Sequence, residues 1–275
     1  MENHKFIFIG GLHRSGTSIL HDCLQEHPLI SGFRETGVSH DEGQFLQTVY
    51  PPAKVYGGPG KFGFKAEAHL TEKCPSASSA NGARLFSEWS RYWDTSKPIL
   101  VEKSPPNLIK ARLLQALFPN SCFIMLIRHP VAVSLATQKW KRHSTLYSLL
   151  KHWIYCHELF MSDAKHITNL MIIKYEDFIV EPQAFLDAIY SFVGIENYES
   201  SVKVQSDINR SYFTRWEKYH HGLIRNFYID YLTAKFEDKV NRFGYSLLDL
   251  ELVHDFLNSN RMVRRFLPGA QPHRT

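Results

Sequence analysis

A glycine-framed segment near the start of the chain has the spacing of a phosphate-binding loop. Gly11 and Gly16 follow a short apolar run and enclose Arg14. In such a loop the backbone N–H groups converge on an anion, and the dipole of the following helix adds to the attraction. The loop of nucleotide hydrolases has a Lys directly after the second Gly, whereas this chain has Thr17 there. The segment therefore predicts a site for a phosphate-like group and disfavours hydrolysis of a nucleoside triphosphate.

The elements that must position this loop are predicted by a repeated order of strand, turn and helix. Apolar runs typical of buried parallel strands occupy Phe6–Ile9, Ile99–Val101, Phe123–Ile127 and Leu170–Ile173. Helical patterns cover Gly16 to about Glu26, Pro105–Phe118, a segment from Pro130 onward, Thr145–Ala164, and Pro182–Val193, which Gly194 ends. This order predicts one α/β domain over residues 1–275, with a mostly parallel sheet between two layers of helices.

Two segments, Pro51–Gly63 and Pro75–Gly82, are predicted to be loops because Gly and Pro or Ser and Ala dominate them. They interrupt the pattern between the first strand–helix unit and the next clear strand. Such insertions often carry substrate contacts, and a tolerated surface loop is the alternative for each.

The composition excludes several classes of protein. Hydrophobic residues make up 44% of the 275 residues and charged residues 21%, which excludes disorder as the main state. Lys and Arg exceed Asp and Glu by 32 − 27 = 5 without a block of like charges, so we expect no nucleic-acid partner. The four Cys are far apart, which predicts neither zinc nor disulfides and favours the cytoplasm. No signal peptide or membrane span is apparent.

The segment Arg14-Ser15-Gly16-Thr17-Ser18 resembles the loop of sulfotransferases that use 3′-phosphoadenosine 5′-phosphosulfate. Three further motifs occur in that family's order. The resemblance implies a P-loop-like fold, this nucleotide as the cofactor, and a loop that holds its 5′-phosphosulfate. The residues that it assigns to nucleotide binding here are His13, Arg14, Ser15, Gly16, Thr17 and Ser18, and Arg14 also takes part in catalysis.

The second motif is Ile127-Arg128-His129-Pro130, where a predicted strand meets a predicted helix. The resemblance implies that Arg128 holds the 3′-phosphate, for which a guanidinium offers a fork that Lys cannot reproduce. The family has a Ser about two helical turns later, but that spacing falls on Ala136. Ser134 is the preferred substitute, and Thr137 remains the alternative.

The third and fourth motifs end two other predicted strands. Tyr175-Glu176-Asp177 resembles a family motif whose Tyr lies near the nucleotide, while the two acidic residues are predicted to cap the next helix. Lys103, in the segment Glu102–Asn107, matches a family Lys near the oxygen that bridges phosphate and sulfonate. A cation there would stabilise the charge that develops on the departing oxygen. The alternative for Lys103 is a solvated side chain at a strand end.

Glu35 is the predicted catalytic base. The pair Glu35-Thr36 follows the apolar run Leu29–Phe33 and resembles the tyrosylprotein-type and heparan-type branches, in which Glu is the base. A carboxylate near a cationic anion site can accept the proton of the attacking group. His13 and His40 compete for the role. No His-x-x-x-His pair is present, and we predict no metal.

Two carboxylates after Glu35, Asp41 and Glu42, are candidate substrate-binding residues. If they face the acceptor, they favour a cationic molecule, such as a saxitoxin-like alkaloid. The competing prediction, which we prefer from sequence, is a capping box in which Glu42 turns back to the backbone of Ser39.

The last third of the chain yields no predicted site residue. Asn209–Trp216 is aromatic and basic, as a segment that folds over a nucleotide would be, but packing is the ordinary interpretation. The turn Phe243-Gly244-Tyr245 resembles a late family turn.

The resemblance implies a sulfotransferase that acts on a hydroxyl or amine, and the composition and the absence of a predicted signal peptide or membrane span favour a cytoplasmic enzyme with a small-molecule acceptor. A P-loop kinase and a non-catalytic nucleotide-binding protein are the alternatives.

Overall fold

Five parallel strands form the sheet that carries the predicted motifs. The computed structural model describes residues 3–220 and 223–253; the other residues of the predicted domain 1–275 lie outside the described ranges. The strands are β1 (Lys5–Gly11), β2 (Ile30–Gly32), β3 (Ile99–Lys103), β4 (Ser121–Ile127) and β5 (Leu170–Lys174), in the spatial order β2-β3-β1-β4-β5. All four pairings are parallel.

Alternate side chains of each strand enter two separate cores. Phe6 and Phe8 of β1 pack into the core on one face of the sheet, whereas Ile7 and Ile9 pack into the core on the other. Because both faces are buried, the strands are continuously apolar. The predicted α/β fold of three layers, with helices on both faces, is confirmed.

The helices of the described residues follow the strands as expected, with four additions. They are α1 (Thr17–Leu24), α2 (Ser79–Trp89), α3 (Ala111–Leu117), α4 (Pro130–Trp140), α5 (Leu146–Ala164), α6 (Tyr175–Val180), α7 (Pro182–Val193), α8 (Arg210–His220) and α9 (Leu223–Asn241). The sequence patterns did not predict α2, α6, α8 or α9. The predicted helix Pro105–Phe118 is divided into a 3-10 segment, Pro105–Ile109, and α3.

One of the two predicted loops needs correction, and the other is packed more tightly than a surface loop. The second half of Pro75–Gly82 is helical, because Ser78 accepts a hydrogen bond from the N–H of Asn81 at 3.2 Å and caps α2. The segment Pro51–Gly63 contains 3-10 turns and is packed against the body of the protein. A Cβ atom at Gly60, where φ is 77°, would lie 2.4 Å from the side chain of Leu149. This segment is therefore part of the packed structure and not a freely variable loop.

The sheet topology decides where a ligand can bind. The segment that leaves β1 leads to β2 on one side of the sheet, whereas the segment that leaves β3 leads to β4 on the other side. These two segments therefore diverge at the carboxyl ends of the neighbouring strands β1 and β3. In open parallel sheets, ligands bind in the crevice at this point of divergence.

Candidate active site

The loop after β1 has the backbone of an anion site. Gly16 has φ 94° and precedes α1, and a Cβ atom there would lie 2.3 Å from the ring of Tyr175. A Cβ at Gly11 would lie 2.6 Å from the carbonyl oxygen of Leu126. Both positions therefore require glycine. The hydroxyl of Ser15 is buried without a hydrogen-bond partner in the described residues. The loop thus offers backbone and side-chain donors at the start of a helix, as the spacing predicts.

Arg128 lies directly behind this loop, at the end of β4. It is 4% exposed, and its guanidinium stacks on the ring of Tyr175 at 4.3 Å. Its Nη1 donates to the backbone carbonyl of Arg14 at 2.7 Å, while Nε and Nη2 donate to Oδ1 of Asn209 at 2.9 and 2.6 Å. A guanidinium has five N–H groups, so these three bonds leave two for a phosphate. Tyr175 and Arg128 are thereby brought to the loop, as the resemblance implies.

A partly buried hydrogen-bond network that the sequence did not reveal supports Arg128. Asn209 donates to Oε1 of Glu176 at 2.7 Å, and the backbone N–H of His129 donates to the same oxygen at 3.0 Å. The hydroxyl of Tyr245 donates to Oε2 of Glu176 at 2.8 Å. Glu176 was predicted to cap the next helix; its carboxylate instead joins β4, α8 and the late Phe-Gly-Tyr turn.

The two candidates for the 3′-phosphate hydroxyl lie on one face of α4. Ser134 and Thr137 are three residues apart, so their side chains are neighbours on the helix. Both line a cavity of about 10 Å³ together with His13 and His152. The hydroxyl of Ser134 is buried there without a partner in the described residues. The choice between the two stays open.

Glu35 and Lys103 share one cleft of about 260 Å³. The cleft is lined by one side of α1, by the segment after β2 and by the end of β3: Ser18, His21, Asp22, Gln25, Phe33, Arg34, Glu35, His40, Asp41 and Lys103. Glu35 is exposed and has φ 51°, whereas Lys103 is 1% exposed at the end of β3. The predicted base and the predicted cation therefore meet next to the phosphate loop.

The two competing histidines are separated by the fold. His13 turns away from the cleft into the small cavity, against the ring of Phe62 at 5.7 Å. Burial, aided by the charge of Lys103, lowers its pKa to about 3. His40 lines the cleft, and its ring stacks on Trp140 at 5.9 Å. Burial and Lys103 lower its pKa as well. Of the two, His40 is the one placed near an acceptor.

The predicted capping box is not formed. The 3-10 segment Ser39–Asp41 has Val38 at its N-cap without a side-chain bond. Glu42 is 5% exposed, with its Oε1 3.9 Å from Nζ of Lys103. Oδ1 of Asp41 accepts hydrogen bonds from the backbone and hydroxyl of Thr36 at 2.8 and 2.6 Å. Asp41 thus lines the cleft, while Glu42 lies behind it against Lys103, because an opposite charge is a better buried partner than a solvated N–H.

A basic groove between α4 and α8 is a further feature that the sequence did not predict. It has a volume of about 520 Å³ and is lined by Gln138, Lys139, Arg142, Arg215 and Tyr219. Nζ of Lys139 lies 4.6 Å from the ring of Tyr212, which also lies 5.8 Å from Arg128. The aromatic and basic composition of Asn209–Trp216 was the available signal, but its packing next to α4 is a tertiary feature.

Membrane-spanning helices and metal-binding clusters are both absent from residues 3–220 and 223–253. None of the helices in these ranges is both long and apolar enough to cross a bilayer. The same residues contain no group of three or more His, Cys, Asp or Glu side chains arranged to hold a metal ion.

Comparisons with known proteins extend over most of the site. The model of a sulfotransferase family matches residues 7–200, which include the loop, Glu35, Lys103, Arg128 and Tyr175. Protein-tyrosine sulfotransferase 2 of Gallus gallus is 25% identical over 69% of this chain and 51% of its own length. The chain therefore spans about half the length of this curated relative.

Two solved structures share the fold. The sulfotransferase domain of the Synechococcus PCC 7002 olefin synthase aligns with a TM-score of 0.51 at 17% identity, over 76% of this chain and 87% of that one. The sulfotransferase STF9 of Mycobacterium avium aligns with a TM-score of 0.50 at 12% identity, over 92% of this chain and 79% of that one. At these identities the likeness concerns the fold alone.

Proposed function

The chain belongs to the sulfotransferase family, and from this premise we propose that it transfers a sulfuryl group from 3′-phosphoadenosine 5′-phosphosulfate to a hydroxyl or amine of a small molecule. The observation that carries the proposal is the common cleft of Glu35 and Lys103 next to the phosphate loop. The proton acceptor and the cation then line one cleft together with Ser18 of the phosphate loop, so that an acceptor bound in the cleft can attack a sulfonate held by the loop.

The residues of the chain fit such a nucleotide at both ends. The backbone of the loop and the unpartnered hydroxyl of Ser15 suit the 5′-phosphosulfate. The two unused N–H groups of Arg128 suit a second phosphate, the one at the 3′ position. The backbone carbonyl of Arg14 accepts a hydrogen bond from Nη1 of Arg128 at 2.7 Å, so the phosphate loop and the proposed 3′-phosphate site are in direct contact.

In the proposed reaction Glu35 takes the proton of the acceptor as its oxygen or nitrogen forms a bond to sulfur. The bond between sulfur and the bridging oxygen breaks at the same time, and its electron pair stays on that oxygen, now part of the 5′-phosphate. Lys103 stabilises this negative charge from the end of β3. The products are the sulfonated acceptor and adenosine 3′,5′-bisphosphate.

Nucleotide selectivity tests the proposal. By calorimetry, adenosine 3′,5′-bisphosphate is expected to bind more tightly than adenosine 5′-phosphate or ATP with magnesium, and to bind equally in EDTA. Arg128→Ala should weaken binding of the bisphosphate by about 1.5–3 kcal/mol, the range for a hydrogen bond to a charged group. It should weaken binding of adenosine 5′-phosphate less, because that nucleotide loses only the support that Arg128 gives to the carbonyl of Arg14. Arg128→Lys, which keeps the charge without the fork, should recover part of the loss.

Equal losses for both nucleotides would remove Arg128 from the 3′-phosphate site. Preference for ATP with magnesium in the wild type would instead favour a kinase.

The cleft also suggests a cationic acceptor. Asp22 and Asp41 line it together with Glu35, so three carboxylates face the proposed acceptor position against the two cations Arg34 and Lys103. Asp22, and not the predicted Glu42, therefore accompanies Asp41 as a candidate substrate-binding carboxylate. An amine- or guanidinium-bearing natural product, for example a saxitoxin-like alkaloid, has the matching charge.

A pair of phenols that differ in one ammonium group tests this acceptor class. Asp22→Asn with Asp41→Asn should raise the KM of tyramine by roughly 2- to 30-fold, because two partly exposed ion pairs contribute about 0.2–1 kcal/mol each. The neutral analogue, para-ethylphenol, should keep its KM. Asn at position 41 keeps an oxygen for Thr36, so the local structure is retained. A parallel change for both phenols would contradict a cationic acceptor.

A further inference from the structure

The ammonium group of Lys103 is buried against one carboxylate. Its side chain is 2% exposed and that of Glu42 is 7% exposed, with Nζ and Oε1 3.9 Å apart. Nζ also donates to the backbone carbonyl of His40 at 2.6 Å. Both partners of Lys103 therefore come from the segment between β2 and α2.

That segment is fixed to the end of β3 by a set of buried bonds. The backbone N–H of Gly43 donates to Glu102 at 3.0 Å, and that of Gln44 donates to the hydroxyl of Ser104 at 3.0 Å. A Cβ atom at Gly43 would lie 2.5 Å from Glu102, so only glycine allows this approach. The amide of Gln44 donates to Oε2 of Glu42, and its own oxygen accepts from the N–H of Ala53 at 2.8 Å. These contacts fix the position of Glu42 beside Lys103.

We propose that Glu42 is a positioning residue that keeps Lys103 protonated and directed at the departing oxygen. This inference rests on the proposed function, since it assigns a purpose to the Lys103 charge. An uncharged amine could not stabilise the negative oxygen, whereas a buried ammonium without a counter-charge would tend to lose its proton.

Other groups face Lys103 from several elements. They are Asp22 and His21 of α1, Asp41 and His40 of the segment after β2, His13 of the phosphate loop, Glu102 of β3, and Glu35 and Arg34 across the cleft. Asp22 and Glu35 are exposed and screened by water, and Asp41 is partly so and bonded to Thr36. Glu102 bonds to Ser104 and Asn107, and burial raises its pKa to about 7.

Glu42 is therefore the main buried counter-charge. Burial lowers the pKa of Lys103, and Glu42 is the strongest influence that raises it again. Burial also raises the pKa of Glu42, which the charge of Lys103 and the amide of Gln44 counteract. Loss of the Glu42 carboxylate should therefore lower the pKa of Lys103, because the effect of burial would no longer be counteracted.

The test is a titration of Lys103 by NMR, with lysine labelled at the ε carbon and the signal assigned by its absence in Lys103→Arg. Glu42→Gln should lower the midpoint by about 1–3 pH units, the usual effect of an opposite charge at this distance. Glu42→Asp keeps the charge and should recover most of the shift. The matched control is Asp22→Asn, which removes an exposed carboxylate of the same cleft and should shift the midpoint far less.

An unchanged midpoint in Glu42→Gln, or an equal shift in Asp22→Asn, would overturn the proposal. If Glu42→Gln does not fold, the titration of the wild-type protein tests the pairing. The signal of Lys103 must then shift at the pH where Glu42 titrates, and the signal of the Glu42 carboxylate must shift at the pH where Lys103 titrates. Independent titrations of the two groups would overturn the pairing. In turnover assays the alkaline limb of the kcat profile should move to lower pH in Glu42→Gln, and this shift should vanish in a Lys103→Arg background. Absence of sulfuryl transfer by the wild type would refute the proposed function and leave the titration result intact.

Discussion

Glu35→Gln is expected to lower kcat for sulfuryl transfer to tyramine by about 10²–10⁴-fold, the usual contribution of a general base. Glutamine keeps the shape of the side chain but cannot accept the proton of the attacking hydroxyl. Because Glu35 lies in the cleft and not in the phosphate loop, the affinity for adenosine 3′,5′-bisphosphate should change little. Single-turnover rates at saturating donor give the rate of the chemical step separately from nucleotide binding and product release, and should fall by the same factor.

The matched control is Glu158→Gln, which removes an exposed carboxylate on α5, outside the cleft. It should leave turnover unchanged. If Glu35→Gln retained near-normal turnover while His40→Gln did not, the base would be His40, the other proton acceptor that lines the cleft.

Removal of the Lys103 ammonium should have the second largest effect, a loss of about 10²–10³-fold in kcat. Lys103→Met alone would leave the carboxylate of Glu42 buried without its partner, at a cost of about 3–5 kcal/mol in stability. The double variant Lys103→Met with Glu42→Gln avoids this cost, because both members of the pair become neutral at nearly constant volume.

The loss is measured relative to Glu42→Gln alone, at a pH below the alkaline limb of that variant, where Lys103 still carries its proton. The comparison then reports the loss of the Lys103 cation and not the loss of the Glu42 carboxylate. It should appear mainly in kcat, since the charge on the departing oxygen develops in the transition state. A double variant as active as Glu42→Gln would exclude Lys103 from the stabilisation of that oxygen.

Local sequence patterns were sufficient for four of the five strands and for the loop. The strands β1, β3, β4 and β5 contain continuous apolar runs, whereas β2 lies in the apolar run Leu29–Phe33, which was not predicted to be a strand. The glycines of the loop are required by close contacts to β4 and Tyr175. Such features depend on residue type and spacing along the chain, which the sequence displays directly.

The contacts that hold the site residues in position join residues that are distant in sequence. Ser39 and Glu42 have the spacing of a capping box, but Glu42 pairs with Lys103, 61 positions later. Asn209 meets Arg128 across 81 positions, and Glu176 meets Tyr245 across 69. No local period encodes these contacts, since they follow from the order in which the strands and helices pack. Ser134 and Thr137 share one face of α4, so a structure with a bound nucleotide is needed to choose between them.

A crystal structure with adenosine 3′,5′-bisphosphate tests the central claim most directly, because it shows whether one nucleotide spans the loop and Arg128. We expect the 5′-phosphate on the backbone of residues 14–17, with an oxygen directed at Lys103 and towards the cleft of Glu35. The 3′-phosphate is expected on the two N–H groups of Arg128 that Asn209 and Arg14 leave unused, in contact with Ser134 or Thr137. A nucleotide bound in the reverse direction, or one whose phosphates avoid both the loop and Arg128, would contradict the proposed sulfuryl transfer in this cleft.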